Sequence, residues 1–240
     1  FYFYPFLIIR SADVNLLIMR IKLLPLLLVF VLCYNPIYSQ NILSPKELAK
    51  AKEYRNWKDA IDKPLKVHKL NLKRSKLSEL PREIGKFKNL QILELGSNKF
   101  KVLPRELGRL KKLQYLGLSY SRNLNINKAM PVIVKLKLLE NIDLSDNQLK
   151  QLPRDIARLK NLKQINLSYN KNINTRQVLS ILSRLDQLEI LMLAENNIKT
   201  LPESIVKMQN LKELHLQFNP INEAERKNLI TLLPNTKIIF

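Results

Sequence analysis

Leucine recurs in this chain with a fixed long period, and that period decides what the chain can fold into. Leu90, Leu113, Leu139, Leu162, Leu188 and Leu211 each open a copy of one pattern, and Val67 opens a weaker one. The openings are separated by 23, 23, 26, 23, 26 and 23 residues, so that from Leu90 onward every second opening lies 49 residues further on. Self-similarity with a period in the twenties marks a solenoid. Each copy is a single structural unit with one apolar side, which it can bury only by stacking on its neighbours into a continuous core.

Within the central copy the pattern is carried by Leu139, Ile142, Leu144, Asn147 and Leu149, and then by Leu152, Pro153, Ile156, Leu159 and Asn161. This L-x-x-L-x-L-x-x-N-x-L run, with its L-P-x-x-I-x-x-L continuation, resembles the leucine-rich repeat superfamily. More closely, it resembles the bacterial branch with short 23-residue repeats. The resemblance implies an α/β solenoid with a parallel concave β-sheet, short helices or turns on the convex side, and helical caps at both ends. It also implies binding of proteins, without naming a partner.

The residues support the same fold independently. Ile142 and Leu144 are two apart, so on a short strand they share a side. Asn98, Asn147, Asn170, Asn196 and Asn219 recur where the chain leaves the strand, and are expected to satisfy backbone groups freed by the bend. Ser75 and Ser121 take that place in the first and third copies and should weaken the ladder locally. Pro81, Pro104, Pro153 and Pro202 open the second halves of the 23-residue copies, where proline limits any helix to a short piece. The 26-residue copies lack it, and Asn127–Lys137 and Thr175–Leu185 read as helices, with Pro131 early enough to be tolerated.

Both flanks read as caps. Ser44-Pro45-Lys46-Glu47 is a capping box with proline at the first helical position. Leu48, Ala51, Tyr54, Trp57 and Ile61 then follow at spacings of three and four, so residues 40–66 are expected to form a capping helix over the first strand. At the other end Asn222 and Glu225 resemble a second capping box, opening a helix from Asn222 to Leu233 before a strand at Lys237–Phe240. The repeat domain is thus read as residues 67–240, seven copies closed at both ends.

Upstream, the chain starts with Phe1, and residues 1–18 read as an extension ahead of a better start at Met19. Met19-Arg20-Ile21-Lys22 is basic, Leu23–Cys33 is apolar over 11 residues, and a polar turn leads to Ser39. This is the layout of a secretory signal over residues 19–39. Arg20 and Lys22 interrupt the apolar stretch before it reaches membrane-spanning length. A lipoprotein reading would acylate Cys33, but Leu32 is bulkier than such processing prefers.

Little in the sequence supports catalysis. His68 and His215 stand at opposite ends of the array, Cys33 is the single cysteine, and the four glycines cannot form a phosphate loop. No catalytic residue, metal ligand or cofactor site is expected. The informative residues are those flanking the strand leucines. From the second copy onward these columns hold Ile92, Glu94, Tyr115, Tyr120, Asp143, Asp146, Tyr169, Ile190, Met192, Glu195, Glu213, His215 and Phe218, and no Lys or Arg. In a chain of net charge +21 that is a marked segregation. The expectation is an exported, monomeric, non-enzymatic module whose neutral-to-acidic concave face takes a protein. One competing reading is a polyanion contact through Arg82, Arg105, Arg109, Arg154 and Arg158 on the convex side. Another is an intracellular scaffold, which requires that residues 19–39 not act as a signal. Mass spectrometry of the native protein tests export: a mature form beginning near Gln40 is expected, and an intact Met19 terminus in a soluble cytoplasmic fraction would overturn it.

Overall fold

A short strand of three residues recurs in every copy, and its middle position points straight into the core. In the computed structural model, which describes residues 42–240, that position is held by Leu70, Leu93, Leu116, Ile142, Ile165, Leu191 and Leu214 in turn, all essentially without exposure. The strands are β2 Lys69–Asn71, β3 Ile92–Glu94, β4 Tyr115–Gly117, β5 Asn141–Asp143, β6 Gln164–Asn166, β7 Ile190–Met192 and β8 Glu213–His215. With β1 Glu53–Tyr54 and β9 Lys237–Ile239 they form one parallel sheet of nine strands in sequence order. Residues 19–39, expected to be a signal, residues 1–18, expected to be an extension, and Cys33 lie outside the described residues.

The convex side follows the proline rule. Each proline-bearing copy makes a five-residue 3₁₀ turn, at Arg82–Lys86, Arg105–Arg109, Arg154–Arg158 and Glu203–Lys207. The proline carbonyl accepts the first turn bond, as from the Ile84 N–H to Pro81 at 3.0 Å. The two 26-residue copies instead carry helices α3 Ile126–Ile133 and α4 Thr175–Leu182, capped by Asn125 and Asn174. Both end a few residues earlier than the sequence pattern suggests. Pro131 sits at the sixth position of α3, past the first turn. It leaves the Asn127 carbonyl without a helical donor, and Asn127 is exposed, where water can serve instead.

The bends are held by the asparagines. Asn170 is fully buried, and its amide donates to the Leu144 and Leu167 carbonyls at 3.2 and 2.9 Å. Its carbonyl oxygen accepts the N–H groups of Asn147 and Leu149, at 3.1 and 2.9 Å. One side chain thus ties successive bends together, and Asn219 repeats the arrangement on Asn196 and Ile198. Ser121 breaks the series. Its hydroxyl reaches only the Ser119 carbonyl, at 3.5 Å, and offers nothing to the Asn98 copy behind it.

The N-terminal cap departs from the single helix read from the sequence. The helix α1 runs only from Pro45 to Lys50, with both halves of the Ser44–Glu47 capping box formed. The chain then extends as β1 and re-enters a helix, α2 Trp57–Ile61, under a new cap in which Asn56 accepts the Asp59 N–H at 2.9 Å. The exposed edge of β2 explains the break. Its unpaired backbone groups are satisfied better by a parallel strand, with Tyr54 paired to Leu70, than by the side of a helix. Trp57 is half-buried rather than enclosed and meets the buried Phe87 edge-on, with centroids 5.4 Å apart. At the C-terminus α5 Glu223–Leu232 forms under Asn222, but the second capping box is only half made. The Glu225 carboxylate accepts instead from the Leu201 N–H of the preceding copy, at 3.1 Å.

Two stability effects follow. Asn170→Ala removes the donor to the Leu144 carbonyl and the acceptor of the Asn147 and Leu149 N–H groups, while the Leu167 and Ser168 carbonyls keep other donors, and it is expected to cost about 3 kcal/mol, read as a lower urea midpoint. Trp57→Ala should cost roughly 2 kcal/mol, below the usual range for a fully buried aromatic. An unchanged midpoint for the latter would show that α2 is not part of the cap.

Candidate functional site

The outward residues of the strands form straight columns because the register never slips. Ile92, Tyr115, Asn141, Gln164, Ile190 and Glu213 are paired in line, as are Glu94, Gly117, Asp143, Asn166, Met192 and His215. These are the columns expected from the sequence. The structure adds that many of their polar groups serve the fold as well. The Asp143 and Asn166 side chains accept the N–H two residues ahead, from Ser145 and Ser168, at 2.9 and 3.0 Å. Glu94 does the same for Gly96 at 3.0 Å. Its other oxygen accepts from the Tyr115 hydroxyl, also at 3.0 Å. A Cβ at Gly117 would fall on that carboxylate, which accounts for glycine at this point of the column. One oxygen of each acid is therefore committed to finishing its strand.

The next column, just past the strands, is conformationally unusual. Ser97, Tyr120, Asp146, Tyr169, Glu195 and Phe218 all have φ between 51° and 61°, and so does Arg74. None is glycine, although the left-handed region favours it. The backbone holds because its N–H groups are tied to the next copy, as in Tyr120 to Ser145 and Tyr169 to Ala194, both 2.9 Å. Tyr120 and Tyr169 are half exposed, and Phe218 is 78% exposed. Along the array the side chains alternate: Tyr120, Asp146, Tyr169, Glu195, Phe218.

Two cations reach this face that the columns alone do not reveal. Arg122 lies with its guanidinium 4.4 Å above the Tyr120 ring and pairs with both oxygens of Asp146, at 2.8 and 3.1 Å. Lys237 extends the first column through β9 and sits 3.8 Å from Glu213, which also meets the His215 ring at 3.0 Å. The face is accordingly less acidic than its columns: Asp146 and Glu213 are already paired with cations, while Glu195 has no ion-pair partner among the described residues. The signal for Arg122 was available in the sequence, since both long copies place a basic residue two after the tyrosine, in Tyr120-Ser121-Arg122 and Tyr169-Asn170-Lys171.

The N-terminal segment narrows the face at one end. Gln91, fully buried, clasps the backbone of Leu43 on both sides, accepting its N–H at 2.8 Å and donating to its carbonyl at 3.0 Å. Leu48 of α1 then helps line a shallow cavity with Ile92, Gln114, Tyr115, Glu140 and Asn141. Ile92 therefore belongs to the wall of that cavity. On the convex side Arg105 pairs with Glu106 at 3.1 Å and Arg158 with Asp155 at 3.2 Å, whereas Arg82, Arg109 and Arg154 have no acidic partner among the described residues. Among those residues no group of His, Cys, Asp or Glu is placed to hold a metal ion. No helix there is long and apolar enough to cross a membrane.

Residues 105–239 match the model of a leucine-rich repeat region, and residues 66–124 match a leucine-rich repeat model. The chain belongs to the leucine-rich repeat family. Among solved structures it is similar to the internalin inlF of Listeria monocytogenes at 18% identity and a TM-score of 0.58, over 83% of this chain and 58% of that one. It is also similar to the internalin inlC2 of the same organism at 20% identity and a TM-score of 0.51, over 75% of this chain and 82% of that one. The chain thus spans a little over half the length of the inlF structure. No curated protein matches it.

Tyr115 provides a pH test of this geometry. Burial, then the nearby Glu94 and Asp143 carboxylates, push its phenol above the ordinary tyrosine range. The folded state thus keeps a proton that the unfolded chain loses near pH 10, so stability is retained below that pH and lost above it. Tyr115→Phe should flatten the alkaline loss of stability. A slope identical to that of the parent would show that the phenol is not held in this way.

Proposed function

We propose that the protein is a non-enzymatic, exported binding module that holds a protein partner on its concave strand face. The family supports the broad part of this reading, because leucine-rich repeats typically serve as binding scaffolds. The observation that carries the specific part is the aromatic series Tyr120, Tyr169 and Phe218. The bend sets these three side chains on the face; Tyr169 and Phe218 stay exposed without a cation stacked on them, while Tyr120 carries the Arg122 guanidinium, and exposed aromatics so placed support a binding role. Such residues on a rigid sheet are typical anchors at the centre of an interface. Ile190, Met192 and His215 lie beside them in the strand columns and supply apolar and amphipathic contact area. Export rests on the basic and apolar sequence of residues 19–39.

The partner would offer apolar and basic groups to this face, and its association would slow with added salt. In capture from the native envelope or extracellular fraction, Tyr120→Ala with Tyr169→Ala should weaken binding by about 2 kcal/mol or more while leaving the fold intact. Neutralising Arg105, Arg109, Arg154 and Arg158 should leave it nearly unchanged. The opposite pattern, with binding lost through the arginines and kept without the tyrosines, would replace this reading by a polyanion contact on the convex side.

A further inference from the structure

We infer that Tyr169 and Glu195 form a receptor site for an arginine side chain of the bound protein, a refinement that rests on the concave-face reading. The structure contains a filled copy of the same site. Tyr120 and Asp146, neighbours in the left-handed column, hold the Arg122 guanidinium between a ring face and a carboxylate. Tyr169 and Glu195 occupy the same two positions 49 residues later. The φ angles are 52° and 51° at the first pair, 61° and 56° at the second. The tyrosine N–H bonds to the next copy at 2.9 Å in both, and the two residues are 50% and 51% exposed. The local sequences, Leu118-Ser119-Tyr120 and Leu167-Ser168-Tyr169, are identical.

The two sites differ in their occupant. Where Arg122 stands in the first, Lys171 stands in the second, and it pairs with neither Tyr169 nor Glu195. A lysine ammonium is a compact, strongly hydrated charge that cannot lie flat on a ring and fork onto a carboxylate together, as a guanidinium does. The longer glutamate side chain reaches further from the backbone than that of Asp146. Phe218, the next residue in the column, adds an exposed apolar wall on the far side of Glu195.

The test uses the full chain, isotope-labelled, with N-acetyl-arginine methylamide as probe and N-acetyl-lysine methylamide as control, read by NMR. The arginine probe should shift Tyr169 and Glu195 saturably, with an affinity about threefold or more above the lysine probe. Glu195→Gln should abolish the response. Lys171→Arg should fill the site from within and abolish it too, and the Nε–H groups of both Arg122 and the new guanidinium should then exchange slowly, each bonded to its carboxylate. Arg122→Ala should open a second site, adding a response at Tyr120 and Asp146. Equal responses to both probes would overturn the inference, as would a response at Tyr120 in Arg122→Ala with none at Tyr169. These outcomes do not depend on the natural partner. Partner capture that survives loss of the tyrosines removes the concave-face reading, whereas the probe reports on the site itself.

Discussion

Each bend of this solenoid forces the backbone away from its neighbours' hydrogen bonds at the point where water is excluded, and a buried asparagine resolves that conflict. The side-chain amide donates backward to carbonyls of its own copy and the one before, while its oxygen accepts N–H groups from that preceding copy. A neutral group offering both donors and an acceptor is required, because a carboxylate has no donor and a hydroxyl is too short to span the bends. The strands are at most three residues long and could not hold a nine-stranded parallel sheet in register by themselves. The asparagines make each strand's departure point common to its neighbours, and the columns of the concave face stay straight as a result.

The face in turn inherits constraints from the bends. Because every copy leaves its strand in the same way, the residue that follows is driven into left-handed backbone space in seven copies. The sequence fills these positions with Arg, Ser, Tyr, Asp and Glu, and finally Phe, where glycine would be easiest. The second strand column shows the opposite economy: Glu94, Asp143 and Asn166 look like surface groups in sequence, yet each uses an oxygen to satisfy an N–H two residues on. Acidity counted by residue therefore overstates what a partner meets.

Most of the architecture could be read from the sequence because it is periodic: the strands, their register, the asparagine ladder, and the division between proline-headed turns and true helices. What escaped was aperiodic. The apolar spacing from Leu48 to Ile61 fits a helix, but the demand for backbone pairing at the edge of β2 outweighs it and turns Glu53 and Tyr54 into a strand. Glu225 fits a local capping box, but half of its role goes to the Leu201 N–H of another copy. Arg122 lies just beyond the columns, in the longer bend of a 26-residue copy, and returns to the face through its side chain. In each case a contact between copies overrode a pattern within one.

The alternation of short and long copies has a consequence for how the array can be read and altered. The aromatic residues Tyr120 and Tyr169 belong to the long copies, and Asp146 and Glu195 to the short ones. Chemistry on the inner face and helix type on the outer face thus share a unit of two copies, and like side chains recur roughly every 10 Å rather than about every 5 Å. Losing or gaining one copy would put tyrosine beside tyrosine or acid beside acid, and pack like segments together outside. A change of 49 residues, the spacing of every second opening, would leave both faces in phase. The protein is in effect a ruler graduated in pairs, and a ligand that follows its face is measured in the same double steps.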